Sequence, residues 1–166
     1  MPRYLRADIR TDRWLSPPWL SPGAVPASAV ADLRPYSNEL SFFEVPDDAD
    51  NAFIERIVVA FAAKRDKVDK VGYIVFDGAA LPGLGLNLVP SPGAGDTPDA
   101  VVNALHCDLP QMTGQNLLDL VGVMSGSAPL DILAKRLTSL LQTGVDNRHL
   151  DKSRMNRKLL TEIGRI

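Results

Sequence analysis

Three residue types that take part in nucleophilic catalysis stand side by side at His106, Cys107 and Asp108. A thiolate can attack a substrate, an imidazole can take up its proton, and a carboxylate can orient the imidazole. On a helix, however, neighbouring side chains diverge by about 100°, so His106 and Cys107 would not face one substrate atom. Catalytic cysteine and histidine residues normally meet across a fold instead. The tripeptide therefore favours a packing role for Cys107.

A zinc site is poorly supported by the same residues. The chain holds one cysteine, Cys107, and two histidines, His106 and His149. Structural zinc sites take four protein ligands at characteristic spacings, and these three residues show no such spacing. The acidic segment 46–50 also lacks the central glycine and distal glutamate of a calcium-binding loop. We therefore expect no metal and no cofactor.

A second set of candidates consists of carboxylates at the ends of two predicted strands: Glu44, Asp47, Asp48 and Asp77. If strands 40–45 and 71–76 run parallel, these carboxylates lie where open α/β sheets bind ligands. His106 could approach them, and the cluster could hold a divalent cation for phosphoester hydrolysis. The same residue types also suit turns and helix caps. Glu44, Asp77 and His106 are thus the catalytic candidates of an alternative function, a metal-dependent hydrolase.

The element that would position these residues is the segment 40–76. Leu40–Val45 is rich in strand-forming residues, and Val71–Phe76 is nearly continuously apolar, as in strands buried on both faces. Between them, a helical pattern places Phe53, Ile57 and Phe61 on one face, at spacings of four. A strand, a crossover of about 25 residues and a second strand predict a right-handed β-α-β unit. We expect the helical stripe to be buried on the sheet.

The remaining segments predict an α+β fold over residues 1–166 as a single globular domain. Residues 84–89 predict a third strand of a small mixed sheet, whereas 3–9 fits a strand or a helical turn equally well. The C-terminal half, 97–166, is predicted to be helical, and its helices are expected at 97–110, at 113–126, at 129–143 with Gly144 as the stop signal, and from about 151.

A proline-rich arm, residues 14–38, precedes the sheet. Its prolines restrict it to an extended path with one turn of helix near 27–33. Trp14 and Trp19 flank the first prolines. Large aromatic side chains on an irregular segment usually hold it against the core of the same molecule, and we expect this arm to pack on the body. The alternative is that they anchor a partner, because tryptophan is enriched at binding hot spots.

Composition places the chain among soluble globular proteins. Hydrophobic residues make up 45% of the chain and charged residues 23%. No stretch approaches the 18 or more apolar residues of a membrane span. The lone Cys107 cannot form an intramolecular disulfide, and the N-terminus lacks the apolar stretch of a signal sequence. We therefore expect a cytoplasmic protein that does not enter membranes.

Charge is unevenly distributed, although the net charge is only −2. Residues 1–14 carry four arginines against two aspartates, and 148–166 carry six basic residues against two acidic ones, whereas 15–147 has eight basic and sixteen acidic residues. The negative net charge of the chain makes nucleic acid an unlikely partner. Either the basic ends pack on the acidic body, or the last helix contacts an acidic partner or a phosphate backbone through its exposed cations, Arg154, Arg157 and Lys158.

The absence of a reaction motif favours a protein-binding module. An acidic surface can occlude the basic site of another protein without catalytic residues. We therefore expect a small bacterial, cytoplasmic inhibitor of the immunity or antitoxin kind, whose partner is another protein or a second copy of the chain. The binding candidates are the arm tryptophans and the C-terminal cations: Trp14, Trp19, Arg154, Arg157 and Lys158.

Overall fold

The computed structural model describes residues 1–166 and shows an α+β fold built on one six-stranded sheet. The strands are β1 (Arg3–Ile9), β2 (Leu40–Val45), β3 (Val71–Asp77), β4 (Val89–Pro90), β5 (His106–Leu109) and β6 (Leu130–Ile132). They are ordered β4-β5-β2-β1-β3-β6 across the sheet, and every neighbouring pair is antiparallel. The predicted α+β class is confirmed, but the sheet is antiparallel throughout instead of mixed.

Six helices accompany the sheet: α1 (Ala27–Val30), α2 (Asn51–Ala62), α3 (Ala100–Asn103), α4 (Gly114–Met124), α5 (Ala134–Asp146) and α6 (Arg157–Glu162). The central helix α2 is capped by Asp50, whose carboxylate accepts a hydrogen bond from the Phe53 amide at 2.8 Å. Helix α4 begins with a capping box in which Thr113 and Asn116 bond reciprocally.

The N-terminal strand β1 lies in the middle of the sheet, between β2 and β3. Leu5 is paired with Phe43 on one side and with Val75 on the other. Strands β2 and β3 therefore run in the same direction, as predicted, but they do not bond to each other. The unit from 40 to 76 is a split β-α-β arrangement with an antiparallel strand inserted.

Each face of the sheet carries its own hydrophobic core. The first, which we call the α2 face, packs against α2, α5 and α6 through buried residues that include Leu5, Phe43, Ile57, Leu137, Leu141 and Leu159. The second, the arm face, packs against the arm and α4 through residues that include Trp14, Leu33, Phe42, Phe76, Leu120 and Met124.

The predicted stripe on α2 is buried on the sheet. Ile57 and Val58 have no exposed surface, and Phe53, Ile54 and Phe61 are half-buried against the same core. The spacing of apolar residues along α2 therefore indicates the correct face. The prediction that this helix is scaffold is confirmed.

Two short strands interrupt the half of the chain that was predicted to be helical, although four helices remain there. The helix expected to run to Pro110 ends at Asn103, and the next residues form β5 on β2. Similarly, 130–132 forms β6 on β3 before α5 begins at Ala134. Strands of three or four residues carry no recognisable period, and their neighbours in the sheet decide their conformation.

Other observed element boundaries differ from the predicted ones by a few residues. The third strand predicted over 84–89 is reduced to Val89–Pro90, and Pro82–Leu84 forms a 3₁₀ turn. Gly144 does not end α5 but lies inside it, where an added methyl group would come within 2.8 Å of the Leu150 side chain. The last helix is preceded by a 3₁₀ turn at Lys152–Arg154 and begins only at Arg157.

Candidate functional site

The carboxylates expected to form a common site lie on opposite faces of the sheet. Glu44 is paired with Tyr4 of β1, and Asp77 is paired with the preceding residue, Arg3. Paired residues of antiparallel strands share a face, and successive residues alternate between faces. Glu44 is therefore on the arm face and Asp77 on the α2 face. The two carboxylates cannot bind one cation.

His106 does not join either carboxylate. It is paired with Phe43, so it lies on the α2 face, opposite to Glu44. It shares that face with Asp77, but β2 and β1 separate their strands by about 14 Å at the usual strand spacing. No group of three or more His, Cys, Asp or Glu side chains is close enough to hold a metal ion. The cluster required by the hydrolase hypothesis is not formed.

The acidic residues near these strand ends serve turns and the chain terminus. Asp77 accepts a hydrogen bond from the Ala79 amide at 2.8 Å and so closes the turn after β3. Asp47 is exposed and lies 3.5 Å from the N-terminal ammonium group. The turn role considered for these residues is the one that the structure shows for Asp77.

His106 instead belongs to a polar network with Ser91 and Asp108. Its Nδ1 lies 2.9 Å from Ser91 Oγ and 3.1 Å from the Ser91 carbonyl oxygen. Ser91 Oγ donates to Asp108 Oδ2 at 2.6 Å, and Ser41 Oγ donates to the other carboxylate oxygen at 2.8 Å. The network fastens the loop after β4 to the neighbouring strand β5.

The order of contacts in this network is not that of a serine hydrolase. Ser91 lies between His106 and Asp108, because its Oγ contacts both, whereas His106 Nδ1 lies 3.9 Å from Asp108 Oδ2. In a catalytic triad the histidine lies between the serine and the acid, accepts the serine proton and donates to the acid. Ser91, His106 and Asp108 therefore stabilise the loop and do not activate the hydroxyl.

Cys107 lies on the opposite face of β5 and is 4% exposed. Burial, with smaller contributions from the nearby charges of Glu44 and Asp108, raises the pKa of the Cys107 thiol to about 12. A thiol that stays protonated is a poor nucleophile. Cys107 is a packing residue of the arm face, as the sequence predicts.

The two arm tryptophans have opposite environments. Trp14 is 5% exposed, and its indole Nε1 donates to Asp32 at 2.9 Å. Asp32 also accepts from Arg13 at 2.6 Å and from the Arg10 amide at 2.9 Å. Trp14 thus holds the arm on the body as predicted. The same prediction is wrong for Trp19, which is 82% exposed.

Trp19 is not the only large apolar side chain that the arm presents to solvent. Leu15 is 64% exposed and Tyr36 is 87% exposed. The parts of the arm next to these three residues are held on the body, because Trp14, Ala29 and Leu33 are buried in the core of the arm face. The arm therefore has residues buried in the core and three large apolar side chains exposed to solvent, and we call these three side chains its outer side.

Some cations of the C-terminal segment 148–166 pair with acidic residues of the chain, and others do not. Arg154 lies 3.4 Å from Asp96, and Arg165 forms a bidentate pair with Asp146 at 2.8 and 2.7 Å. These two residues pack on the acidic body. The other two binding candidates, Arg157 and Lys158, are exposed at the start of α6 and form no ion pair within the chain.

A groove of about 380 Å³ between α2 and α5 was not foreseen from the sequence. Its walls are mainly apolar and include Phe53, Val59 and Leu140, and the exposed His149 lies at its rim. The groove is formed by residues far apart in the chain. No local pattern marks it.

Comparison of the chain with protein-family models, with curated proteins and with solved structures finds no match. None of the helices is long and apolar enough to cross a membrane.

Proposed function

We propose that this protein is a protein-binding module and that the outer side of the arm is its main contact surface. The observation that supports this most directly is the 82% exposure of Trp19. Tryptophan and tyrosine dominate the energetic hot spots of protein interfaces because they bury large areas in few rotatable bonds. Leu15, Trp19 and Tyr36 offer such area within the arm.

Preorganisation of the arm favours this role. Binding is weakened by the entropy of every segment that must become ordered on association. Here the prolines fix much of the backbone, while Trp14 and Leu33 hold the arm in the core. A partner would therefore meet Trp19 on a segment that is already in place.

We further propose that the partner is a basic protein and that this chain is an inhibitor of the immunity or antitoxin kind. The support is the excess of eight acidic over basic residues between 15 and 147. Complementary charge accelerates association and can block a basic catalytic site without any chemistry by the inhibitor. Arg157 and Lys158 would lie outside this acidic contact.

The test is affinity capture from cells of the source organism, followed by calorimetry with the purified partner. We expect the Trp19→Ala variant to bind at least about tenfold more weakly, as a hot-spot residue does. Leu133→Ala is the matched control, because Leu133 is 63% exposed but lies outside the arm. Its affinity should remain within about twofold of the wild type.

Because Trp19 is exposed, its replacement should leave the melting temperature unchanged, which separates loss of binding from loss of folding. A captured partner that binds Trp19→Ala and Tyr36→Ala as tightly as the wild type would refute the arm as the contact surface. A partner that is acidic instead of basic would refute the inhibitor proposal and leave the arm surface standing.

A further inference from the structure

The groove between α2 and α5 is formed by one side of each helix. Its lining includes Ala52, Arg56 and Val59 of α2, and Leu140, Gly144 and Asn147 of α5. Residues three or four positions apart lie on the same side of a helix, so each set forms a continuous wall. The volume of about 380 Å³ lies within the range of small-molecule sites, about 300–1,000 Å³. The groove is therefore large enough for a small ligand.

Arg56 brings unused hydrogen-bond donors to this groove. Its Nε and Nη2 bond to the two carboxylate oxygens of Asp99, at 2.6 and 3.0 Å. A guanidinium has five N–H groups, and the three that remain donate to no other residue of the chain. The Asp99 side chain is 1% exposed, whereas that of Arg56 is 25% exposed and lines the groove. The edge of the guanidinium away from Asp99 is therefore available to a ligand.

The charges at the groove favour a neutral ligand. Asp99 already balances the charge of Arg56, and Asp50, which forms no ion pair, adds a negative charge to the lining. A ligand carboxylate would gain little from Arg56, because two like charges would oppose it. A ligand ammonium group would be repelled by the guanidinium. A neutral carbonyl oxygen can accept from the unused N–H groups of Arg56 without either repulsion.

We propose that this groove binds a small neutral carboxamide, with its carbonyl oxygen on Arg56 and an apolar ring against Phe53 and Leu140. Both side chains are half-buried and line the groove, so a ligand ring would remove further apolar surface from water. The Phe53 ring also allows aromatic packing. Helices α2 and α5 pack on the α2 face of the sheet, so this site is separate from the arm surface and does not depend on it.

The experiment is a titration of the full chain with three ligands that share a benzyl group: phenylacetamide, phenylacetate and 2-phenylethylamine. NMR of the protein amides follows binding at constant ionic strength and at pH 8, where imidazole groups are ordinarily neutral. We expect saturable shifts in α2 and α5, with phenylacetamide binding most tightly. A blocked tripeptide with a central phenylalanine tests whether the groove takes a peptide segment instead, and we expect it to bind more weakly than phenylacetamide.

Arg56→Lys tests the contact with the ligand carbonyl, because it keeps a positive charge beside Asp99 but removes the planar set of donors. It should weaken phenylacetamide binding by about tenfold, the effect of losing a charge-assisted hydrogen bond. Arg136→Lys is the matched control. Arg136 also forms a bidentate pair with a residue of α2, Glu55, but it does not line the groove. The phenylacetamide affinity of this control should match that of the wild type.

A second variant keeps the test decisive if Arg56→Lys does not fold. Ala52 is exposed and lines the groove, so Ala52→Leu should obstruct the site while leaving Arg56 in place. Ala134→Leu is its control, because Ala134 is exposed at the start of α5 and lies outside the lining. Loss of phenylacetamide shifts in Ala52→Leu but not in Ala134→Leu would support the proposal. Unsaturable shifts, tighter binding of a charged ligand or of the tripeptide, or wild-type phenylacetamide affinity in Arg56→Lys or Ala52→Leu would overturn it.

Discussion

Arg56 and Asp99 form a bidentate ion pair that joins α2 to the cap of α3. Arg56 Nε lies 2.6 Å from Asp99 Oδ2, and Nη2 lies 3.0 Å from Oδ1. The aspartate side chain is 1% exposed, whereas the arginine side chain is 25% exposed. Asp99 Oδ1 also accepts from the Val101 amide at 2.9 Å. One carboxylate thus fixes a helix start and the floor of the groove between α2 and α5.

We expect Arg56→Met to lower the free energy of unfolding by about 3–5 kcal/mol, because it leaves the Asp99 carboxylate buried without its counter-charge. Arg136→Met is the matched control. Arg136 also forms a bidentate pair with a residue of α2, Glu55, but its side chain is 60% exposed. Its loss should cost less than about 1 kcal/mol. Urea unfolding measures both, and equal losses would contradict the role assigned to burial.

Ile57→Ala should lower the free energy of unfolding by about 2–5 kcal/mol, because Ile57 is fully buried and its truncation leaves a cavity beneath α2. Leu118→Ala on α4 is the control, since that leucine is 45% exposed. Equilibrium urea unfolding of both variants checks the difference. A loss below about 0.5 kcal/mol for Ile57→Ala would mean that the helix does not rest on the sheet.

Elements with strong local signals could be predicted from the sequence, and elements set by pairing could not. The apolar period of α2 is local, and the face that it predicts is the one that the structure buries. Strand β5 has only four residues, and its pairing with β2 determines its conformation. The central position of β1 in the sheet is also not a local property, because the sequence of residues 3–9 does not indicate which strands will flank it.

The candidate sites show the same division. Trp14 and Trp19 are the same residue type five positions apart, and only the contact with Asp32 and the core distinguishes them.

Tryptophan fluorescence should separate the two arm environments. We expect Trp19→Phe, which retains the buried Trp14, to show blue-shifted emission that resists quenching by iodide. Trp14→Phe, which retains the exposed Trp19, should emit nearly like indole in water and be readily quenched. Circular dichroism of both variants confirms that they are folded. Equal shielding of the two residues would mean that the arm folds back over Trp19.

Stability at high pH should depend on Cys107. Burial raises the pKa of its thiol to about 12, against an ordinary value of 9.0 in the unfolded chain. The folded state therefore keeps the proton where the unfolded state releases it, so the thiol's contribution is complete below pH 9.0 and is lost as the pH rises towards 12.

We expect the stability of the wild type to fall relative to that of Cys107→Ala above pH 9.0, by up to about 1.4 kcal/mol per pH unit. Urea unfolding of both proteins from pH 7 to 11 measures this difference, and the constant cost of the lost side chain cancels from its pH dependence. A disulfide reagent at pH 8 supplies an independent check, because a buried neutral thiol should react only after unfolding. Rapid labelling of the folded protein, or parallel pH profiles of the two proteins, would show that Cys107 is accessible and ionises normally.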